Sequence, residues 1–223
     1  MLRRTREPQT LTAIARHVGM APSTAHSLLA DLTELGAVVQ RDDKRYELGP
    51  LLYYLGSAHA RMSPVYRAAW DDVVELANEL GVVGVVAVPW DDHHLILQAH
   101  EGGRSGIGVA FGGRVPFGGS GSWNKAYAAW CAPENGNWSE SELEQTRAHG
   151  YAVDAEEFAV GVGGVASAVT SAAGYEGLVS CISSIAVMNE LGFEEVGARL
   201  GAIAAKASFT LGDTMRMRLV GSE

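Results

Sequence analysis

Two cysteines, Cys131 and Cys181, are all that the 223 residues contain, too few for a disulfide framework and not spaced as metal ligands. Both are expected to be small buried hydrophobes in a reducing compartment. No apolar run approaches the roughly 20 residues that span a bilayer. The opening Met1-Leu2-Arg3-Arg4-Thr5-Arg6 carries charge without the apolar stretch of a signal peptide. A cytoplasmic protein with no membrane partner is therefore expected. Charged residues make up only 19% and prolines number 7, while 47% of residues are hydrophobic. That balance excludes long disordered tracts and leaves enough apolar side chain to close a core.

Basic residues are also scarce: 17 Lys and Arg face 26 Asp and Glu, for a net charge of -9. An acidic chain is repelled by a phosphate backbone, which on the face of it opposes nucleic-acid binding. The deficit is uneven, however. Residues 1–50 hold seven basic and six acidic side chains, whereas residues 51–223 hold ten and twenty. Acidity belongs to the second part, so charge permits the first part to meet DNA without demanding it. The length fits one small domain and one larger one.

Missing motifs exclude the common enzyme classes. No G-x-S-x-G elbow surrounds Ser120 or Ser122, and no H-E-x-x-H occurs. Gly106-Ile107-Gly108 and Gly161-Val162-Gly163-Gly164 lack the strand-to-helix pattern of a dinucleotide site. Asp91-Asp92-His93-His94 reads as a solvated hairpin tip, because adjacent residues there point to opposite faces and chelate poorly. No catalytic residue, metal site or cofactor is expected.

What is present is a helix-turn-helix pattern. Thr10 or Thr12 caps a helix with Leu11, Ile14, Ala15 and Val18 on one face, and Gly19 stops it. Pro22, tolerated in a first helical turn, opens a second helix whose Ala25, Leu28, Leu29, Leu32 and Leu35 recur at three and four residues until Gly36. Residues 37–40 and 45–48 predict two short strands around a charged tip, closed by Gly49-Pro50. In that arrangement Pro22, Ser23, Thr24, His26 and Ser27 lead the second helix, where polar side chains reach base edges and phosphates. Arg41, Lys44 and Arg45 form the tip of a wing placed to follow the backbone. The same pattern is also compatible with two amphipathic helices and a hairpin that serve only as a packing unit.

Beyond Gly49-Pro50 an apolar connector leads to Ser63-Pro64, which opens a helix with Val65, Ala69, Val73, Leu76 and Leu80 inward. Residues 82–88 and 95–99 predict one hairpin, and residues 165–170 and 178–183 another, which implies antiparallel sheet. Between them lie a glycine-rich loop over 102–122, a helix over 123–130 and a capping box at Ser139 and Glu142. The last helix runs from Phe193 to about Leu211.

Leu11 to Leu29, Leu35-Gly36 and Arg45 to Pro50 together resemble the IclR family of bacterial transcriptional regulators. Gly113-Arg114-Val115-Pro116-Phe117, Lys125-Ala126 and Gly150-Tyr151-Ala152-Val153-Asp154-Ala155-Glu156-Glu157 are similar to that family's effector-domain signatures, in the same order. The resemblance implies an α+β protein. A winged helix-turn-helix over residues 1–50, its first helix shortened, joins through a linker helix over 51–63 to a GAF-like antiparallel-sheet effector domain over 64–223. It implies a promoter-binding regulator, a homodimer or homotetramer, modulated by a small carboxylated or aromatic effector. Transferred by motif, Phe117, Gly121, Ser122, Trp123, Asp154, Gly164, Cys181 and Ser183 are the expected effector-binding residues. Two departures stand out. Pro22 and Ser27 occupy positions where the family often has basic residues, and Met1 to Arg6 matches only the tail of its first helix. A loosened head is the expected consequence, and a ligand-binding module with a degenerate head is the alternative reading.

Overall fold

The computed structural model describes residue 2, residues 7–134 and residues 136–220, with side chains in the final segment as far as residue 212. The expected remnant of a first helix at residues 1–6 falls, apart from Leu2, outside the described residues. The chain divides into two compact units, residues 1–61 and 62–223.

In the first unit, β1 (Gln9–Thr10) precedes α1 (Leu11–Val18) and α2 (Pro22–Glu34), followed by β2 (Val38–Gln40), β3 (Arg45–Leu48) and α3 (Pro50–Met62). Thr10 is the N-cap of α1 and accepts the Ala13 N–H at 3.2 Å. Gly19 ends the helix at φ 70°, a left-handed conformation that glycine adopts without a Cβ penalty. Pro22 stands in the first turn of α2, where its missing N–H costs nothing. β1 adds a strand that the sequence pattern did not predict: it pairs antiparallel with β3, giving the order β1-β3-β2. Leu29, Val38 and Tyr46 form a small core with Leu11, Ile14 and Leu32 packed on it. Leu28 and Leu35, expected on the inner face, are exposed.

The second unit opens with α4 (Pro64–Leu80), capped by Ser63, whose hydroxyl accepts the Tyr66 N–H. One six-stranded antiparallel sheet follows, in the order β6-β5-β4-β9-β8-β7. Its strands are β4 (Val83–Trp90), β5 (His93–Glu101), β6 (Arg114–Pro116), β7 (Ala152–Ala155), β8 (Val162–Ser171) and β9 (Gly174–Ser184). Between β6 and β7 lie α5 (Ser122–Trp130) and α6 (Glu140–His149), the latter with the complete capping box of Ser139 and Glu142. After β9 come α7 (Ile185–Leu191) and α8 (Phe193–Val220).

α4 and α8 cover one face of the sheet and α5 covers the other. Gly84 explains the close fit of α4: a Cβ there would stand 2.7 Å from Val73 Cγ1, so only glycine lets the helix approach. On the α5 face Val83, Val85, Ala87, Ile96, Trp123, Ala126 and Leu178 belong to one core cluster. This is the expected α+β architecture, a helix-turn-helix unit followed by a helix-flanked antiparallel sheet. Among the described residues no helix is long and apolar enough to cross a membrane.

The hairpin joining β4 and β5 departs from expectation. Its turn is only Asp91-Asp92, with Asp91 at φ 52°, so His93 and His94 are strand residues. His94 is fully buried rather than solvated. The cysteines also split: Cys181 is buried as expected, whereas Cys131 is exposed.

Candidate functional site

The first site is the leading edge of α2. Ala25 and Leu29 are buried, which at helical spacing turns the opposite side outward. Pro22, Ser23, Thr24, His26 and Ser27 are all exposed there. The polar edge is therefore free to meet a partner while the apolar side anchors it.

The wing tip is exposed too, but its charges are partly engaged. Arg41 donates to Glu47 at 3.2 Å, and Arg45 lies 3.8 Å from Asp43. Lys44 sits at φ 62° in the turn, with its N–H bonded to the Arg41 carbonyl, and makes no ion pair among the described residues. Of the three basic groups expected at the tip, Lys44 alone is not already opposed by a neighbouring carboxylate.

The second site is a cavity of about 270 Å³ on the α5 side of the sheet. Five of the eight residues expected to bind an effector line it: Gly121, Ser122, Trp123, Asp154 and Gly164. Gly121 is the N-cap of α5, at φ 90°, and it lines the cavity together with the first two residues of the helix, Ser122 and Trp123. Trp123 is held against the sheet by a 2.9 Å bond from its indole N–H to the Ser180 hydroxyl, which itself donates to the Val165 carbonyl.

Asp154 is 94% buried, being only 6% exposed, and it does two things at once. Its Oδ1 accepts the N–H groups of Glu157 at 2.8 Å and Phe158 at 3.3 Å, capping the turn after β7. The carboxylate also forms part of the cavity wall. Burial raises its pKa above the ordinary value; the two N–H bonds and Lys125 act the other way, and Glu157 adds to the rise. Lys125 itself is engaged by the Val153 carbonyl at 3.2 Å and by Glu157 at 3.0 Å.

Three expected residues lie elsewhere. Cys181 pairs with Gly84 and Val165, and Ser183 with Gly163, so both point to the sheet face covered by α4, α7 and α8. Strand alternation gives the cavity Ile182 instead. Burial pushes the Cys181 thiol up to about 12, which makes it an inert packing group. Phe117 stacks on Tyr127 with ring centroids 4.3 Å apart and meets His94 edge-on at 4.6 Å. It belongs to an aromatic nest around His94, not to the cavity wall. Within that nest His94 Nε2 lies 3.3 Å from Asn124 Oδ1 and Nδ1 lies 3.2 Å from the Tyr175 hydroxyl. Burial lowers the His94 pKa to about 4.

The rest of the wall was not singled out in advance. Ile96, Val109 and Val115 line one side, and Phe158, Val162 and Ile182 another. Aliphatic residues carry no chemical signature, and only their placement by the fold identifies them.

An exposed helix-turn-helix with a wing, followed by a separate helix-flanked sheet domain, defines the class: a DNA-binding transcriptional regulator. Comparison with known proteins then supplies the family. Residues 1–42 match the model of the IclR helix-turn-helix domain. The glycerol operon regulatory protein of Streptomyces coelicolor is 30% identical over 184 residues, which cover 71% of this chain and 70% of that one. An IclR transcriptional regulator from Alicyclobacillus acidocaldarius superposes with a TM-score of 0.76 at 26% identity, over 92% of this chain and 91% of that one. An IclR homolog from Microbacterium hydrocarbonoxydans, solved in complex with 4-hydroxybenzoate, shares the fold at 18% identity and a TM-score of 0.73, over 92% of each chain. The chain belongs to the IclR family of transcriptional regulators, and these relatives are regulators rather than enzymes.

Proposed function

We propose that the protein regulates transcription in the cytoplasm by binding promoter DNA through α2 and the wing, and that a small organic effector in the α5-side cavity modulates that binding. The carrying observation is the cavity itself: about 270 Å³, mostly apolar, with one buried carboxylate and a helix N-terminus converging on it. The bound 4-hydroxybenzoate of the Microbacterium homolog supports an effector that is aromatic or carboxylated. Pro22, Ser23, Thr24, His26 and Ser27 contact the duplex from α2, and Arg41, Lys44 and Arg45 contact it from the wing.

The active species is a homodimer or homotetramer. One short reading helix buries too little surface for specific binding, and two half-sites multiply the contacts. On α3, Leu52, Tyr53, Tyr54 and Leu55 are 42–70% exposed, an apolar run for which contact with a second copy gives a reason.

A fluorescence titration with the upstream region of the protein's own gene, at several salt concentrations, tests the regulatory reading. Specific retention that weakens with salt supports it. Absence of specific retention at low salt would instead favour a ligand-binding module with a degenerate head.

A further inference from the structure

In its 13 residues α2 carries no Lys, Arg, Asn or Gln. Those four side chains are the ones that read guanine and adenine most strongly in the major groove, the first two guanine and the other two adenine. The carboxylates of Asp31 and Glu34 stand on α2 instead. If α2 is the helix that enters the groove, its sharpest discrimination between bases is set by what a carboxylate can do there.

The burial pattern fixes which side chains face outward. Ala25 and Leu29 are buried, and Leu32 packs on the same small core. At about 100° per residue the opposite side of the helix carries Ser23, Ser27, Ala30, Asp31 and Glu34, and all five are exposed. Asp31 follows Ser23 by about 12 Å along the axis, and Glu34 lies about 4.5 Å further on, at the end of the helix. A reading helix that lies along the groove contacts bases over about two turns, which takes in Asp31 and leaves Glu34 at the margin. Neither carboxylate has an ion-pair partner among the described residues. The Thr33 hydroxyl is turned back on the Leu29 carbonyl at 2.6 Å, so it supplies no neighbouring donor to either of them.

A carboxylate accepts hydrogen bonds and donates none. Guanine presents N7 and O6 to the major groove and thymine presents O4, all acceptors that repel it. Adenine offers its N6 amino group beside the N7 lone pair, whereas cytosine offers its N4 amino group with no acceptor next to it. Cytosine is therefore the best match. Against a phosphate the same carboxylate only weakens binding. The hydroxyls of Ser23, Thr24 and Ser27 and the ring of His26 can each present a donor or an acceptor, so they separate the bases less sharply.

We infer that Asp31 is the specificity-determining residue of α2, its carboxylate accepting from the N4 amino group of a cytosine, so that each copy of α2 fixes one C·G pair. This inference rests on the reading of α2 as the helix that contacts DNA, and it adds the residue and the base. Glu34, on the same face, opposes the phosphates without reading a base.

The test is selection by the full chain from a library of duplexes with a randomised core, followed by sequencing of the retained DNA. Wild type, Asp31→Asn, Asp31→Ala and Glu34→Gln are compared, with melting curves to show that each is folded; both positions are exposed. The wild type is expected to retain a motif with one C·G position per α2, favoured about tenfold or more over the other pairs. Asp31→Asn is expected to change that position alone to A·T, because an amide pairs with adenine N6 and N7. Asp31→Ala is expected to lose the preference at that position alone. Glu34→Gln is expected to leave the motif unchanged and to tighten binding to every duplex at low salt. A motif that both Asp31 variants reproduce, a motif that both lose entirely, or a preference that moves with Glu34→Gln overturns the inference and leaves α2 as the reading helix. Retention of no common motif by the wild type overturns the DNA-reading role of α2 and this inference with it.

Discussion

Asp154 and Gly164 stand opposite each other across β7 and β8, and the same row continues to Ile182 on β9. A carboxylate, a bare backbone and a branched aliphatic chain thus line up on one face of three adjacent strands, and that row is a wall of the cavity. Gly164 keeps the wall open. A Cβ there would meet the Cys181 carbonyl at 3.1 Å, tight enough that the strand backbone must give, and Ile182 Cγ1 at 3.5 Å. Gly164→Leu is therefore expected to fill the cavity at some cost in stability. Its melting temperature is expected to fall below that of the wild type, and the stabilisation given by a bound small molecule should vanish. Differential scanning fluorimetry with and without ligand reads both quantities.

Asp154 makes stability depend on pH. Its pKa in the folded chain is raised above the ordinary 3.8, chiefly by burial. A raised carboxyl means the folded state holds its proton longer than the unfolded state does. The contribution is fully present below 3.8 and is lost as pH rises through the folded value. Asp154→Asn, which stays neutral and keeps its cap, should flatten that part of the profile. Urea midpoints measured across the acidic range on both proteins check it.

His94 works in the opposite direction. Burial among Phe117, Trp123, Tyr127 and Tyr175 lowers its pKa from 6.5 to about 4. The folded state therefore prefers the neutral ring, and the stability this brings is present above 6.5 and lost as pH falls from 6.5 toward about 4. His94→Gln should remove that loss, though it lowers stability near neutral pH by disturbing the nest. A shallower decline between pH 6.5 and 4 in the variant is the expected result.

The reading head is predicted to separate folding from recognition. His26→Ala and Ser27→Ala remove exposed side chains and should leave melting unchanged, while each base-edge hydrogen bond removed weakens specific DNA binding by about 1–3 kcal/mol. Leu29→Ala strikes the small core formed with Val38 and Tyr46. A loss of about 2–5 kcal/mol should unfold the head and abolish DNA binding altogether. Circular dichroism melts paired with DNA titrations distinguish the two classes.

How far the residues foretold this picture depended on local signals. Thr10, Gly19, Pro22, Ser63 and the Ser139–Glu142 box marked helix ends because capping and left-handed turns demand particular side chains. β1, β6, β7 and α7 are short and were not predicted, since two to seven residues give little periodicity to read. Resemblance by motif brought Gly121, Ser122, Trp123, Asp154 and Gly164 to the residues that line the cavity. It failed at Cys181 and Ser183 because β9 is buried on both faces over most of its length, so alternation of apolar and polar residues cannot tell which face is which. His94 was misplaced for a related reason: the turn is tighter than the run of polar residues suggested, which carries a histidine from the tip into the core.

The ion pairs of the wing bear on how the protein would grip DNA. Arg41 and Arg45 each already have an acidic neighbour, Glu47 and Asp43, to neutralise them. A guanidinium so matched releases fewer condensed ions from the duplex when it docks, because part of its charge is already answered within the wing. Raising ionic strength would loosen the internal pairing and the grip on phosphate together, so the fall in affinity should be gentler than a count of three basic side chains suggests. Lys44 alone among them should behave as a full counter-charge.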